Sequence, residues 1–164
     1  MGAAVKVRSA WENRFRQPSV VDLLGGMTKE VSTLVRSVRQ ELHAGRELGE
    51  ELRWLGVSWC WTMVYKAEGA MPKGWVYLIP RPDRPSIAVP VPLRVFENLP
   101  MRSFGKVVRD GLQFSRVVDG VRWPQWELTS KTLAEEVVRL SECTLAEGRR
   151  EAFETGGTRV GAGA

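Results

Sequence analysis

Alternation of large and small side chains with a period of two, across residues 57–66, constrains this chain more than any other feature. Trp59, Trp61, Met63 and Tyr65 share one parity, and Ser58, Cys60, Thr62 and Val64 the other, so an extended segment here has one bulky face and one small face. The pattern returns at Gly74–Pro80 through Trp75, Tyr77 and Ile79, and at Ser86–Val91 through Ile87, Val89 and Val91. Turn-forming residues separate the runs: Gly69, Pro72 and Gly74 in the first connection, then Pro80, Pro82, Asp83 and Pro85 in the second. An antiparallel meander is expected. Pro90 and Pro92 cannot donate to a ladder, which predicts that the third strand lies at a sheet edge.

Helical spacing surrounds the meander. Ser19 is placed to cap a short helix, Val20–Leu24, ended by Gly25 and Gly26. Met27, Val31, Leu34, Val35, Val38 and Leu42 then fall on one stripe of a helix beginning near Thr28. Leu48, Leu52 and Leu55 predict a further helical turn or two before Gly56. A helix is expected over Leu99–Phe114, a turn at Asp119–Gly120, and a fourth strand over Val121–Leu128 that Pro124 must bulge or expose. The last helix starts near Ser130 or Thr132. The fold class is therefore α+β, a single mainly antiparallel sheet of about four strands with helices packed on one face. Val31, Leu34, Val38, Leu133, Val137 and Leu140 are expected to face that sheet. At 164 residues the chain fits one domain, read as 18–148, with an N-terminal arm (1–17) ordered only where it docks and a flexible Gly-rich tail (149–164).

Two cysteines are too few for a disulfide framework, and neither a signal-peptide core nor an apolar run long enough for a bilayer is present. A soluble, cytoplasmic protein without membrane contact is expected. The net charge of +5 is spread along the chain with no run of five Lys or Arg, so nucleic-acid binding is expected to be weak and non-specific. An accessory nucleic-acid-binding protein using a diffuse basic face stands as the alternative function.

No pattern supplies catalysis. His43 is the single histidine and has no carboxylate or thiol at ligand spacing, and Cys60, between two tryptophans, reads as a small hydrophobe. Gly-x-Ser-x-Gly, phosphate-loop and His-Glu-x-x-His motifs are absent. No catalytic residue, metal ligand or cofactor is assigned. What remains is aromatic: Trp59, Trp61, Tyr65, Trp75 and Tyr77 either line a pocket or fill the space beneath helices, the inner ones favouring the core. Arg81, Arg84, Arg94, Arg102, Arg116 and Arg122 are interleaved with Trp75, Trp123 and Trp126, a mix suited to an anion or simply to solvent. Arg122 beside Trp123, anchored by the Gly120 turn, is the preferred cation.

Three short motifs carry a resemblance. Pro18-Ser-Val-Val-Asp-Leu-Leu-Gly25, Trp59-Cys-Trp-Thr-Met-Val-Tyr65 and Asp119-Gly-Val-Arg-Trp123 are similar to segments of the YdhG-like superfamily of small bacterial α+β domains, over residues 18–145. The resemblance implies a cytoplasmic single-sheet domain and little about activity. One relative handles iron on a frataxin-like surface of carboxylates, but here Glu30, Glu41, Glu47, Glu50 and Glu51 are interleaved with Lys29, Arg39, Arg46 and Arg53. The expected function is thus non-catalytic binding of a small, partly apolar or anionic molecule, or of a protein partner, through Trp59, Trp61, Tyr65, Trp75, Tyr77, Arg122 and Trp123. The oligomeric state is left open.

Overall fold

The computed structural model describes residues 9–44, 49–68, 70 and 73–157. Its elements are α1 (Val20–Gly25), α2 (Lys29–His43), β1 (Gly49–Trp54), β2 (Trp61–Lys66), β3 (Val76–Ile79), β4 (Ser86–Ala88), β5 (Val91–Pro92), α3 (Leu93–Glu97), α4 (Lys106–Gln113), β6 (Arg116–Val118), β7 (Val121–Trp123), β8 (Gln125–Glu127) and α5 (Lys131–Gly157). The class is α+β, but the strands form two antiparallel sheets instead of one. Five are ordered β1-β2-β3-β4-β8 and three are ordered β5-β7-β6.

Proline explains the division. Pro90 separates β4 from β5 and Pro124 separates β7 from β8, so each marks a point where the chain leaves one sheet for the other. Neither can extend a ladder through its own nitrogen. Val89 N–H instead donates to the Pro124 carbonyl (3.3 Å), which ties the two crossings together. The expected third strand is therefore divided: β4 lies between β3 and β8 and is not an edge, whereas β5, which contains Pro92, is an edge of the three-stranded sheet.

Three other expectations change. The segment read as helical before Gly56 is β1, which pairs with β2 over six consecutive residues from Gly49↔Lys66 to Trp54↔Trp61. That ladder overrides a spacing signal of only three leucines, of which Leu48 lies outside the described residues. The helix expected from Leu99 begins at Lys106, after a 3₁₀ turn at Met101–Ser103 and the buried anchors Leu99 and Phe104. At the other end, α5 runs past Gly148 to Gly157. Residues 1–8 and 158–164, the ends of the expected arm and tail, lie outside the described residues.

Local signals read from the sequence do set the helix starts. Ser19 and Asp22 form a reciprocal capping box, and Thr28 Oγ1 accepts from Val31 N–H (3.3 Å). The described part of the N-terminal arm docks as a strap: Trp11 Nε1 donates to the Trp59 carbonyl (3.1 Å) and Trp61 Nε1 to the Asn13 carbonyl (2.8 Å).

The main core fills one face of the five-stranded sheet. Met63, Tyr65, Val76, Leu78, Ile87 and Trp126 meet Val35, Val38 and Leu42 of α2 and Ala134, Val137 and Leu140 of α5. Of the residues expected to face the sheet, Val38, Val137 and Leu140 are buried, while Val31, Leu34 and Leu133 are half-buried. The opposite face carries a smaller cluster of Val64, Tyr77 and Ala88 under Leu55, Trp59 and Trp123, to which no helix contributes among the described residues.

Candidate functional site

The helix-free face is built by register. Val64 is opposite Tyr77 and Tyr77 opposite Ala88, so the three share a side, away from Met63, Leu78 and Ile87. Trp59 arrives from the β1–β2 connection. Gly56 (φ 92°) and Cys60 (φ 51°) take left-handed backbone there, while Cys60 N–H donates to the Gly56 carbonyl (2.7 Å) and Leu55 N–H to the Cys60 carbonyl (3.0 Å). The Trp59 carbonyl is fixed by Trp11 Nε1 and by Thr62 Oγ1, each at 3.1 Å. Trp123 arrives from the β6–β7 hairpin, whose two-residue turn has positive φ at both Asp119 (50°) and Gly120 (74°).

The three rings form a closed set with centroids 5.5 Å (Trp59–Tyr77), 5.6 Å (Tyr77–Trp123) and 6.3 Å (Trp59–Trp123) apart. Tyr77 is the buried floor, and Trp59 and Trp123 are half-buried walls. The floor needs Gly74: a Cβ there would stand 2.7 Å from Tyr77 Cζ and Oη. Burial pushes the Tyr77 phenol above its ordinary pKa, partly opposed by the nearby Arg53 charge, so the ring presents a neutral hydroxyl. Directly opposite Trp123 in the hairpin is Arg116, exposed and without an ion pair among the described residues.

The same side of the sheet continues through Ile79, Ser86 and Glu127, which share a register row. They join Trp11, Arg81, Arg84 and Gln125 around a cleft of about 170 Å³. Asp83 already pairs with both guanidinia, at 3.0 Å from Arg81 and 3.7 Å from Arg84, so this end offers shape and hydrogen bonds more than net charge.

On the helix-covered face lies a second constellation. Glu50 of β1 receives Arg39 through Nη2 (2.7 Å) and Nε (3.1 Å), the Tyr65 hydroxyl (2.6 Å) and His43 Nε2 (3.3 Å). Burial opposes ionisation of Glu50, but Arg39, Tyr65 and His43 outweigh it and hold the carboxyl down at about 2. Burial and the Glu50 carboxylate push the Tyr65 phenol well above its ordinary value. Every oxygen of Glu50 is occupied by this chain's own donors, which makes the cluster a clamp between α2, β1 and β2.

The sequence-selected residues divide accordingly. Trp59, Tyr77 and Trp123 come together on the open face. Trp61 is buried against Trp11 and Leu23, Tyr65 is fully buried at the clamp, and Trp75 is buried with its Nε1 donating to the Ser141 carbonyl (2.8 Å). Arg122 points away from Trp123, because adjacent strand residues alternate sides. It lies over Phe96 (4.4 Å to the ring centre) and donates to the Gln113 carbonyl (3.3 Å) at the end of α4. Cys60 is buried, which pushes its thiol up. His43 does have a carboxylate neighbour, one that β1 brings across from the strand side.

Arg116 and Leu55 complete the open face; Arg116 is one of the six arginines singled out in the sequence but not the preferred one, and Leu55 reads there as part of a helical turn. The signal for Arg116 was present: a two-residue Asp-Gly turn pairs Val118 with Val121 and hence Arg116 with Trp123. Among the described residues no group of His, Cys, Asp and Glu converges as a metal site, and no helix is long and apolar enough to cross a membrane. Comparisons with protein families, with curated proteins and with solved structures found no match to this chain.

Proposed function

We propose that this chain is a non-catalytic binding domain that takes a small, planar, partly apolar anion, such as an aryl phosphate or aryl carboxylate, on the open face of its five-stranded sheet. The observation that carries the reading is the ring set itself. Two half-exposed indoles and a neutral tyrosine stand together where, among the described residues, no helix contributes to the cluster and the neighbouring Arg116 makes no ion pair. An aromatic face left in water costs solubility and is retained where something covers it. Rings stack on a planar ligand, and a guanidinium pairs with its anionic end. Catalysis is not part of the reading, because the His43–Glu50 pair is on the other side of the sheet and saturated by Arg39 and Tyr65.

Two free cysteines fit a reducing, cytoplasmic setting. Membership of the YdhG-like superfamily is proposed on the three sequence motifs alone, and the binding reading does not depend on it.

Calorimetric titration with 1-naphthyl phosphate tests the proposal, with inorganic phosphate and 1-naphthol as half-ligands. Saturable binding of the whole probe, weakened at least tenfold by Trp123→Ala and several-fold by Arg116→Ala, is the expected result. Binding that neither substitution alters would reject the face. A tighter complex with a single-stranded oligonucleotide, falling steeply with salt, would replace the small ligand by nucleic acid.

A further inference from the structure

Strand β1 ends the five-stranded sheet, and its ladder to β2 is regular over six residues, Gly49 to Trp54. Two hydrogen bonds establish which backbone groups face away from β2. Leu55 N–H donates to the Cys60 carbonyl (3.0 Å) on the β1 side, and the Tyr65 carbonyl accepts from Trp75 N–H (2.7 Å) on the β3 side. Residues 49, 51 and 53 therefore bond to β2, and the N–H and C=O groups of Glu50, Leu52 and Trp54 point outward. Among the described residues no hydrogen bond reaches those outward groups. The strand has no proline and no bulge, two of the devices that blunt an edge, although it does carry the charges of Glu50, Glu51 and Arg53. Leu52 and Trp54 are half-buried beside it.

We propose that this edge pairs with the same edge of a second copy, antiparallel, about a two-fold axis at Leu52. Like faces of two joined sheets must match, so a residue can lie opposite only residues of its own parity. Centring on Leu52 sets Leu52 against Leu52 and Glu50 against Trp54 of the second copy, which satisfies every outward amide and carbonyl of the strand. The same register puts Glu51 opposite Arg53 of the second copy, and by symmetry does so twice. Both side chains are on the open side of the sheet, and among the described residues the one ion pair of Glu51 is a loose contact with Lys66 at 3.5 Å. Centring on Glu50 or Trp54 leaves half the edge unpaired and removes both charge pairs, and centring on Glu51 or Arg53 sets that charged residue opposite its own copy. Charge complementarity thus selects one register and one occupant. The dimer places both open faces on one side of a continuous sheet, and Arg116 of each copy stays free.

Sedimentation velocity of the full chain and of two charge reversals, Glu51→Arg and Arg53→Glu, tests the proposal. The expected result is a dimer for the wild type and monomers for each variant alone, because reversal sets like charges opposite one another. Mixing the two variants is expected to restore a dimer. The arginine introduced at position 51 of one copy then faces the glutamate introduced at position 53 of the other, and the retained Arg53 of the first faces the retained Glu51 of the second. Circular dichroism confirms that both variants fold. A wild type that is monomeric at every concentration overturns the proposal and leaves the edge to an extended segment of another protein. A dimer that survives both reversals overturns it in favour of a different surface.

Discussion

Tyr65 and Tyr77 are on neighbouring strands and face opposite sides of one sheet, and the comparison between their surroundings separates structure from function in this molecule. Tyr65 sits under α2 with its hydroxyl on Glu50, in a cluster where both carboxylate oxygens already have partners from the chain. Tyr77 is the floor of a ring set whose walls reach solvent, and no hydrogen bond to its hydroxyl is made among the described residues. A saturated cluster stabilises, whereas an unsaturated aromatic surface beside an unpaired cation is available to bind. Substitutions on the two sides should therefore differ in kind as well as in size.

The largest effect is expected on the covered face. Leu140→Ala, at a fully buried position, should cost about 2–5 kcal/mol in denaturant unfolding, whereas Trp123→Ala should cost about 1 kcal/mol or less. Equal losses would erase the distinction between the faces.

The clamp comes next, and it has a pH signature. Glu50 sits at about 2 in the folded chain against an ordinary value of 4.5, so its contribution is fully present above pH 4.5 and is lost as pH falls from there towards 2. Allowing for the water that reaches its rim, the loss should be about 1–2 kcal/mol. Thermal unfolding of Glu50→Gln should be less stable than wild type near neutrality and flatter across that acid range. An unchanged acid slope would remove the clamp from the account.

Gly74→Ala should be similar in stability and larger in binding. The added Cβ must displace both the Tyr77 ring and Val64 Cγ1, at about 1–2 kcal/mol, and should abolish capture of 1-naphthyl phosphate. The smallest effect is Arg116→Ala, expected within about 0.5 kcal/mol of wild type in stability. Arg122→Ala should exceed it by about 1 kcal/mol, since Arg122 holds the α4 terminus and covers Phe96. The reverse order would make Arg122 the solvent-facing cation.

Much of this was legible in residues whose signal is local. Ser19, Thr28 and Asp119–Gly120 announce caps and a turn, and the stripe Val35, Val38, Leu42 announces a buried helix face, because each depends on neighbours within a few positions. The two-sheet division is harder to read: Pro90 and Pro124 are ladder breakers, but that β8 joins β4 while β7 joins β5 is decided by pairing across about thirty to forty residues. Strand β1 was misread because a hairpin ladder with β2 overrode three spaced leucines, and with it Glu50 was lost as the partner of His43 and Tyr65. Parity placed Tyr65 and Tyr77 as ring-bearing strand residues without telling which side the helices would take. Arg122 was preferred over Arg116 by sequence adjacency to Trp123, where the alternation of strand side chains favours the residue across the hairpin.

The claim that the open face is the binding face is tested most directly by the indole N–H signals of the ¹⁵N-labelled protein during titration with 1-naphthyl phosphate. Trp11, Trp61, Trp75 and Trp126 each donate to a backbone carbonyl, at 3.1, 2.8, 2.8 and 3.2 Å, and their signals should exchange slowly with water and stay in place. Trp59 and Trp123 should exchange fast and shift together, with one saturation curve. Shifts confined to Trp61 or Trp75, or signals of Trp59 and Trp123 that neither exchange nor move, would contradict the account.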